Sequence, residues 1–367
     1  MITLPTSNIP QYSLQMNAIG GTTPNNVVII GTYLQLSNVA ANTAVLATTV
    51  KDSQINFGAL SQISKMYGGY ASIDQNSNVY LVGIPTDNSA CYATALNNLN
   101  ELPVFAFVSA NSTQAVAQTF NTFLSKRWEN GLFGVCFMAS ALDNSGAMFL
   151  NSSNTNSPIS TNSKFISCLV APTTITKPPE YIASCFAATI VGLPVQTTLT
   201  EIQIPNFTAI KYFSYFNNVV RSNIVAGGGS TFKLTKGNQA ILERVVSLNT
   251  TDVSGYPDTS WSKFETILKL QNIIPQFQSI FDNYLAGKII VSSGDVSGDN
   301  FITTSAAKGY FDLCYTNLEQ QGIVDNSLTF KSNSIVQDTG SGTFSAFLPV
   351  EISGNIFNIA TLINFSL

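Results

Sequence analysis

Three stretches near the start of the chain indicate its fold class: VVIIGTYL at residues 27–34, INFGALSQISKMYGGY at 55–70 and VYLVGIP at 79–85. The first and third are short and almost continuously apolar, which is typical of strands buried on both faces of a sheet. The middle stretch has Leu60, Ile63 and Tyr67 at helical spacing, and Gly68-Gly69 is predicted to close that helix. A strand, a helix and a second strand in this order predict an α/β unit.

The same alternation continues to about residue 200. Further short apolar strands are predicted at Val104–Val108, Gly134–Ala139 and Phe165–Val170. One helix is predicted after Ser112, a suitable N-cap, and another begins at Pro178-Pro179 and ends at Gly192. We therefore predict a largely parallel or mixed sheet with helices packed against it.

The second half of the chain has an α+β character. A helix is predicted over Ile210–Val225, and a Gly-rich segment follows it. Two strands, joined by a turn at Lys236-Gly237-Asn238, are predicted at Thr231–Leu234 and Ala240–Leu248. A long helix after Asp258 contains Pro275, which is predicted to kink it or split it in two. The remaining predicted elements are a helix at Thr304–Gln321 and strands at Leu328–Gln337 and from Phe344 onward.

The last thirteen residues, NIFNIATLINFSL at 355–367, are unusually apolar. Their β-branched and aromatic side chains recur at every second position, which predicts a strand. Because chain ends fray unless they are tied into a sheet, we expect this strand to insert into its own domain or into a neighbour's. Residues 1–26 have little with which to build a core, so we predict an extended arm, with a disordered leader as the alternative.

Composition narrows the class of function. Of the 367 residues, 45% are hydrophobic and only 10% are charged, against roughly 25% in a typical soluble protein. Either copies of the chain cover most of its surface, or the composition reflects a low-GC genome. The net charge is −4 and Lys and Arg are nowhere dense, which predicts no direct nucleic-acid binding. Neither a membrane span nor a signal peptide is predicted, because no apolar run is long enough.

The residues needed for most catalytic sites are missing from the sequence. It has no histidine, which removes the usual general base and the commonest metal ligand. Its five cysteines are scattered without zinc spacing, so reduced core thiols and cytosolic assembly are predicted. Asp295 and Asp299 depart from EF-hand spacing, which favours a polar turn over a calcium site. With no phosphate-binding glycine motif either, we predict no enzyme activity, no cofactor and no metal.

Several stretches resemble the contractile tail sheath proteins of Mu-like and related myophages. In the second half these are TFKLTKGNQAILERVVSLNTT at 231–251, the turn Gly255-Tyr256-Pro257-Asp258, LCYTNLEQQGIV at 313–324, FSAFLPVEI at 344–352 and residues 355–367. The three stretches quoted first resemble the opening strand, helix and strand of that family. One departure is that the segment between Pro85 and Ser112 lacks the extra outer domain that many sheath proteins insert.

The resemblance implies a sheath-protein fold of combined α/β and α+β class. It implies an N-terminal extended arm at residues 1–26 and an outer α/β domain at 27–205. It further implies an inner, tube-proximal α+β domain at 206–353, built from both chain ends, and a C-terminal strand arm at 354–367. In this family such arms add strands to the sheets of adjacent subunits.

The function implied is mechanical. Subunits would form a helical homopolymer of stacked rings around the tail tube protein, with baseplate and tail terminator proteins at its ends. Contraction would drive the tube through the host envelope, in a virion tail assembled in the host cytoplasm. The residues implied for strand exchange between subunits are Tyr12, Leu14, Phe357, Ile359, Ile363 and Phe365, with pairing inside the subunit as the alternative. Those implied for the tube-facing helix are Lys263, Glu265 and Lys269, with simple solvation as the alternative.

Three other functions remain open at this point. The chain could be the sheath of an R-type bacteriocin or another contractile injection system. The type VI secretion sheath is divided between two chains, whereas this chain carries both arms, which favours a phage tail or bacteriocin. It could also be another self-assembling virion protein of tube or capsid type, although those folds lack the early α/β alternation. An α/β enzyme would need a convergent polar pocket, which the sequence does not indicate.

Overall fold

The computed structural model describes residues 25–208, 216–237, 239–291, 300–340 and 343–354. The chain divides into two compact units. The first unit comprises residues 1–194 and 199–267, and the second comprises 195–198 and 268–367. In the part of the chain that is described, no helix is both long and apolar enough to cross a membrane.

A six-stranded sheet forms the centre of the first unit. Its strands are β1 Asn26–Thr32, β2 Ala44–Leu46, β3 Asn78–Ile84, β4 Ala106–Ser109, β5 Val135–Ser140 and β6 Ile166–Val170. They lie in the order β2-β3-β1-β4-β5-β6, and all pairings are parallel except that of β2 with β3. The predicted sheet is therefore confirmed, with the short antiparallel β2 as an addition.

Helices cover both faces of this sheet. Phe107 of β4 lies level with Cys136 of β5, one residue before Phe137, so Phe107 and Phe137 point to opposite faces. The ring of Phe107 contacts two aromatic rings of one helix, Phe120 at 6.3 Å and Phe123 at 5.5 Å. The ring of Phe137 lies 5.3 Å from Phe186 of another helix. Burial on both faces explains why these strands are continuous apolar runs.

The helices of the first unit connect and cover these strands. They are α1 Val50–Phe57, α2 Gln62–Ala71, α3 Ser89–Asn97, α4 Gln114–Glu129, α5 Ala147–Leu150, α6 Pro179–Val191 and α7 Asn218–Ala226. Helix α6 is the most deeply placed, because all ten residues from Ile182 to Val191 are buried. It packs closely on α2, where a Cβ on Gly69 would lie 3.0 Å from the ring of Tyr181.

That close approach corrects one sequence prediction. Gly68 and Gly69 lie inside α2 and do not end it. The role of Gly69 is instead to leave room for the ring of Tyr181, which packs against α2 at this position. Ile63 and Tyr67 are buried as predicted, whereas Leu60 precedes the helix and is exposed.

A three-stranded antiparallel sheet covers one edge of the large sheet. Its strands are β7 Ile202–Thr208, β8 Thr231–Leu234 and β9 Gln239–Arg244, in the order β7-β9-β8. Just before β8, the amide of Ser230 donates to the carbonyl of Cys168, and the amide of Val170 donates to the carbonyl of Ser230, both at 2.9 Å. The amide of Leu248 donates to Ile166 at 3.0 Å. The outer edge of β6 is therefore hydrogen-bonded within the subunit.

Because of this attachment, the boundary between the two compact units does not lie at the predicted position. We predicted a domain boundary after residue 205, but the compact units separate after Ile267. The segment that contains β8 and β9 completes the edge of β6, and so it belongs to the first unit.

The second unit contains helices and two small sheets. After α8 Phe264–Ile280, which begins in the first unit, come the π-helix Phe281–Leu285, β10 Ile289–Val291, β11 Phe301–Thr303, α9 Thr304–Gln320, α10 Ser327–Asn333, β12 Ile335–Gly340 and β13 Thr343–Phe347. The core is aromatic, with the ring of Phe330 stacked on Tyr315 at 3.8 Å and on Phe277 at 6.1 Å.

Two further predictions in this region have different outcomes. Helix α8 continues through Pro275 and is not split there. The strand predicted at Leu328–Gln337 is wrong over its first half, which forms α10. That helix is stabilised at its start because Glu319 accepts a hydrogen bond from the amide of Ser327 at 2.8 Å, and it buries Phe330.

Candidate assembly surfaces

The most incomplete element of the second unit is the hairpin of β12 and β13. The two strands pair antiparallel from Ile335↔Phe347 to Gln337↔Ser345, with an irregularity near Asp338. In the described ranges, neither strand pairs with a third one. A two-stranded ribbon is marginally stable alone, and each free edge presents unpaired N–H and C=O groups. The hairpin therefore has two edges at which another strand can be added.

The two faces of this hairpin differ. Val336 and Ala346 pack against the core of the second unit. On the opposite face, Ile335 and Phe347 lie side by side and are 48% and 57% exposed. An aromatic and a β-branched side chain paired across two strands are typical of a sheet surface that is covered by another element. The outer face of the hairpin is thus apolar without a cover in the described chain.

After β13 the chain runs as an extended strap, residues 348–353, along the loop between α9 and α10. Leu348, Val350 and Ile352 pack against the core of the second unit, and Ile352 forms an antiparallel bridge with Val324. The amide of Asp325 donates to the carbonyl of Glu351 at 2.9 Å. The strap therefore holds the chain to the second unit up to the start of the apolar segment 355–367.

The residues predicted to exchange strands lie beyond the described ranges. Tyr12 and Leu14 belong to residues 1–24, and Phe357, Ile359, Ile363 and Phe365 belong to residues 355–367. Strand exchange by these residues stays a prediction. The polar turn predicted at Asp295 and Asp299 also stays a prediction, because residues 292–299 lie outside the described ranges.

The structure corrects two of the three residues predicted to face a tube. Lys263 is exposed, just before α8, but Glu265 and Lys269 are only 4% and 1% exposed. A carboxylate oxygen of Glu265 accepts a hydrogen bond from the amide of Leu199 at 3.1 Å. The ammonium of Lys269 donates to Ser353, as described below. Both charges are committed inside the subunit.

A signal for this burial was present in the sequence. Helix α8 has only two charged residues among its seventeen, and apolar residues surround both of them. Glu and Lys side chains are rarely buried unless they are paired, so charges placed between apolar positions are expected to have partners inside the fold.

No protein-family model matches this sequence, and no curated protein matches it either. Comparison with solved structures does find chains of similar fold. A sheath tail protein from Listeria innocua is 9% identical, with a TM-score of 0.64 over 92% of this chain and 93% of that one. A chain in the baseplate of the anti-feeding prophage is 10% identical, with a TM-score of 0.66 over 98% and 100%. A chain in the contracted helical sheath of the same prophage is 10% identical, with a TM-score of 0.63 over 100% and 99%.

The chain has the fold of contractile-sheath proteins. The similarity extends over nearly the full length of both chains in each comparison, which confirms the predicted sheath-protein fold of combined α/β and α+β class. Sequence identity is only 9–10% in these comparisons, so the likeness is one of fold.

Within this sheath fold, residues 251–257 form a closed turn with an apolar tip. The side chain of Asp252 accepts a hydrogen bond from the amide of Tyr256 at 2.9 Å. The side chain of Asn162 donates to the carbonyl of Thr251 at 2.7 Å and so fixes the base of the turn. Val253 is fully exposed and Tyr256 is 70% exposed. A rigid turn that presents an aromatic side chain is typical of protein contact surfaces.

The carboxyl edge of the large sheet, where α/β proteins usually bind ligands, is occupied by polar side chains that bond one another. The side-chain oxygen of Gln62 accepts from the amide of Thr32 at 2.9 Å and from its hydroxyl at 3.1 Å. Asn111 donates to Asp87 at 3.0 Å. Among the described residues, no group of three His, Cys, Asp or Glu side chains could hold a metal ion.

Proposed function

We propose that this chain is the structural subunit of a contractile sheath. The observation that carries the proposal is a sheath fold that extends over the whole length of chains solved inside an assembled baseplate and a contracted helical sheath. Subunits would polymerise as stacked rings around a tail tube and shorten to drive that tube through the host envelope. The protein would act mechanically, without a cofactor.

Strand exchange is the proposed joint between subunits. The β12–β13 hairpin has no third strand at either edge in the described part of the chain, and its outer face is apolar at Ile335 and Phe347. The apolar segment 355–367, with Phe357, Ile359, Ile363 and Phe365, has the pattern of a strand that could pair there in a neighbour. Tyr12 and Leu14 of the N-terminal arm would supply a second strand.

This joint explains how a polymer could change length without falling apart. Each subunit would give strands to one neighbour and receive them from another, which is a head-to-tail contact that builds helices instead of closed dimers. During contraction the strand pairing would persist while the contacts between subunit bodies change. The free energy would be stored during assembly in the extended form.

The remaining partners follow from this role. The tail tube would lie inside the sheath, and baseplate and tail terminator proteins would bind its two ends. Lys263 is the one exposed member of the predicted tube-facing set and remains the candidate for tube contact. The assembled particle would be a virion tail, built in the cytoplasm of the host bacterium.

Electron microscopy of two purified proteins tests the proposal. The full chain should form long hollow polymers in negative stain, while a variant that ends at Ser353 should remain a folded monomer. Circular dichroism of the truncated variant verifies that it is folded.

Two outcomes would contradict parts of the proposal. If both proteins polymerise alike, the C-terminal segment is not the joint between subunits. If neither polymerises, even when the cognate tube protein is added, the chain is not a sheath subunit.

A phage tail and an injection device are distinguished by the genes beside this one. Capsid and terminase genes in the same cluster would assign the sheath to a phage. Their absence next to tube and baseplate genes would assign it to a bacteriocin or to another contractile injection system.

A further inference from the structure

We infer that Lys269 and Tyr315 form a clamp that fixes the root of the C-terminal strand to the second unit. The root comprises residues 351–353, immediately before the apolar segment 355–367. The role assigned to the clamp, transmission of load from that segment to the subunit body, rests on the proposed sheath function. The clamp itself is visible in the single chain.

Lys269 supplies the first half of the clamp. Its side chain extends from α8 and is 1% exposed, so its ammonium group lies away from bulk water. The ammonium donates to the backbone carbonyl of Ser353 at 2.9 Å and to its hydroxyl at 3.0 Å. Burying a charged group costs free energy unless the group is hydrogen-bonded. Breaking the two bonds to Ser353 would leave the ammonium group with fewer partners, so these bonds hold Ser353 firmly.

Ser353 is also bonded from its other side. Its hydroxyl donates to the carbonyl of Gly322 at 2.6 Å, and its amide donates to the carbonyl of Ile323 at 3.2 Å. One residue is thus tied both to α8, through Lys269, and to the turn that follows α9.

Tyr315 of α9 supplies the second half of the clamp. It contacts Glu351, which lies two residues before Ser353. Its hydroxyl accepts a hydrogen bond from the amide of Glu351 at 3.0 Å and donates to the carbonyl of Asp325 at 2.6 Å. The ring is fully buried and stacks on Phe330, which fixes the position of the hydroxyl. The root is therefore attached to two different helices by two side chains.

This arrangement determines where a pull on the terminal segment is resisted. Tension applied beyond Ser353 would reach α8 through Lys269 and α9 through Tyr315 before it could peel the strap from the core. Without these side chains the root would keep its backbone hydrogen bonds to Ile323 and Asp325 and the apolar contact of Ile352, but it would lose the attachments to α8 and α9 that Lys269 and Tyr315 provide. The clamp thus positions the terminal strand and keeps its root from yielding when a neighbour moves.

Hydrogen exchange followed by mass spectrometry tests the clamp in the full-length chain. Lys269→Met removes the ammonium but keeps most of the side-chain volume. We expect amide exchange in the peptide spanning residues 350–354 to become at least about tenfold faster, because hydrogen bonds to a charged group are stronger than those between neutral groups. Exchange in β4 and β5 should not change. Lys263→Met, which removes an exposed ammonium six residues earlier, is the matched control and should leave exchange at residues 350–354 unchanged.

Tyr315→Phe keeps the stacked ring and removes only the hydroxyl, so it tests the second contact if Lys269→Met folds poorly. Tyr310→Phe on the same helix is its control. Equal exchange at residues 350–354 in wild type, Lys269→Met and Tyr315→Phe would overturn the clamp.

Assembly tests the role of the clamp separately. If wild type forms polymers, Lys269→Met should form fewer and shorter ones than wild type and Tyr310→Phe do, and polymers of equal length would overturn the load-bearing role. If wild type forms no polymer with the tube protein present, the sheath proposal and the load-bearing role fail together. The exchange result then still decides whether the clamp holds the root.

Discussion

The six-stranded sheet and the β12–β13 hairpin differ in how far their strand edges are covered within the subunit. The edge of β6 is closed by hydrogen bonds from Ser230 and Leu248, and the opposite edge is the three-residue strand β2. Among the described residues, no third strand pairs with either edge of the hairpin, and Ile335 and Phe347 face outward.

This difference separates folding from assembly. Free strand edges invite pairing with other chains, and proteins normally cover or shorten them. The large sheet follows that rule, so it can form a rigid body without contacting other copies through its edges. The hairpin departs from the rule in the unit that also anchors the apolar terminal segment. Substitutions in the large sheet should therefore affect the stability of the subunit, and substitutions in the hairpin should affect assembly.

The largest effect on stability is expected for Phe137→Ala in β5. Phe137 is fully buried and contacts the rings of Phe186 and Phe264. Removing it leaves a cavity, which should lower the free energy of unfolding of the first unit by about 3–5 kcal/mol in urea titrations. Phe281→Ala, at a partly exposed ring of the second unit, is the control and should cost much less. Equal losses for the two variants would contradict the assignment of the core.

A smaller loss is expected where the edge of β6 is closed. A Cβ on Gly229 would lie 2.6 Å from Ile224 and 2.7 Å from Phe149, too close for any side chain. Gly229→Ala should therefore lower the free energy of unfolding by about 1–3 kcal/mol through overpacking.

The control for this substitution is Gly309→Ala in α9. No atom lies within 4 Å of the position of its new Cβ, so the variant should be more stable by up to about 1 kcal/mol, because alanine favours helix. A stable Gly229→Ala variant would mean that the edge of β6 is not tightly closed.

The third prediction concerns the outer face of the hairpin. Phe347→Asp should change the free energy of unfolding of the isolated chain by less than about 1 kcal/mol, the size of a cross-strand pair. It should nevertheless abolish polymers in negative stain. Ser345→Asp adds the same charge on the same face without removing an apolar contact, and it should still polymerise. If Phe347→Asp polymerises like wild type, the outer face of the hairpin is not an assembly surface.

The smallest perturbation is a chemical probe of the native thiols at pH 8. Burial raises the pKa of Cys136 and Cys168 far above the usual range and that of Cys185 to about 12, so these three thiols should stay protonated and unreactive. Burial raises the pKa of Cys314 to about 11, so it should react slowly, and the partly exposed Cys91 should react first. Dithionitrobenzoate absorbance measures these rates. Fast reaction of five thiols in the native chain would mean that the large sheet opens readily.

The sequence was most informative where local pattern and burial agree. Continuous apolar runs located β1, β3, β5 and β6 to within about a residue at most ends, because a strand covered on both faces needs no polar positions. The segments that failed depend on distant parts of the chain. Residues 328–333 form a helix that packs on α9, although Leu328 and Phe330 are compatible with a strand.

The candidate surfaces were harder to predict than the fold. The resemblance suggested that Glu265 and Lys269 face a tube, and the sequence does not show that Leu199 and Ser353 lie beside them. Likewise, Arg127 is buried and donates to carbonyls such as that of Asn100 at 2.7 Å. Such partners are fixed only by tertiary structure. The sequence also could not predict that the hairpin lacks a third strand in the described chain, since an unpaired strand and a paired strand have the same sequence pattern.

The burial of α6 has a consequence for synthesis on the ribosome. This helix covers the face of the sheet that Phe137 points to, yet 51 residues separate the end of β5 at Ser140 from the end of α6 at Val191 (191 − 140). At about 5–20 residues per second, that face remains open for roughly 3–10 s after β5 has been made. Until α6 is made, the apolar face of the sheet is uncovered and can aggregate. A chaperone that binds apolar strands could bind this face during the interval.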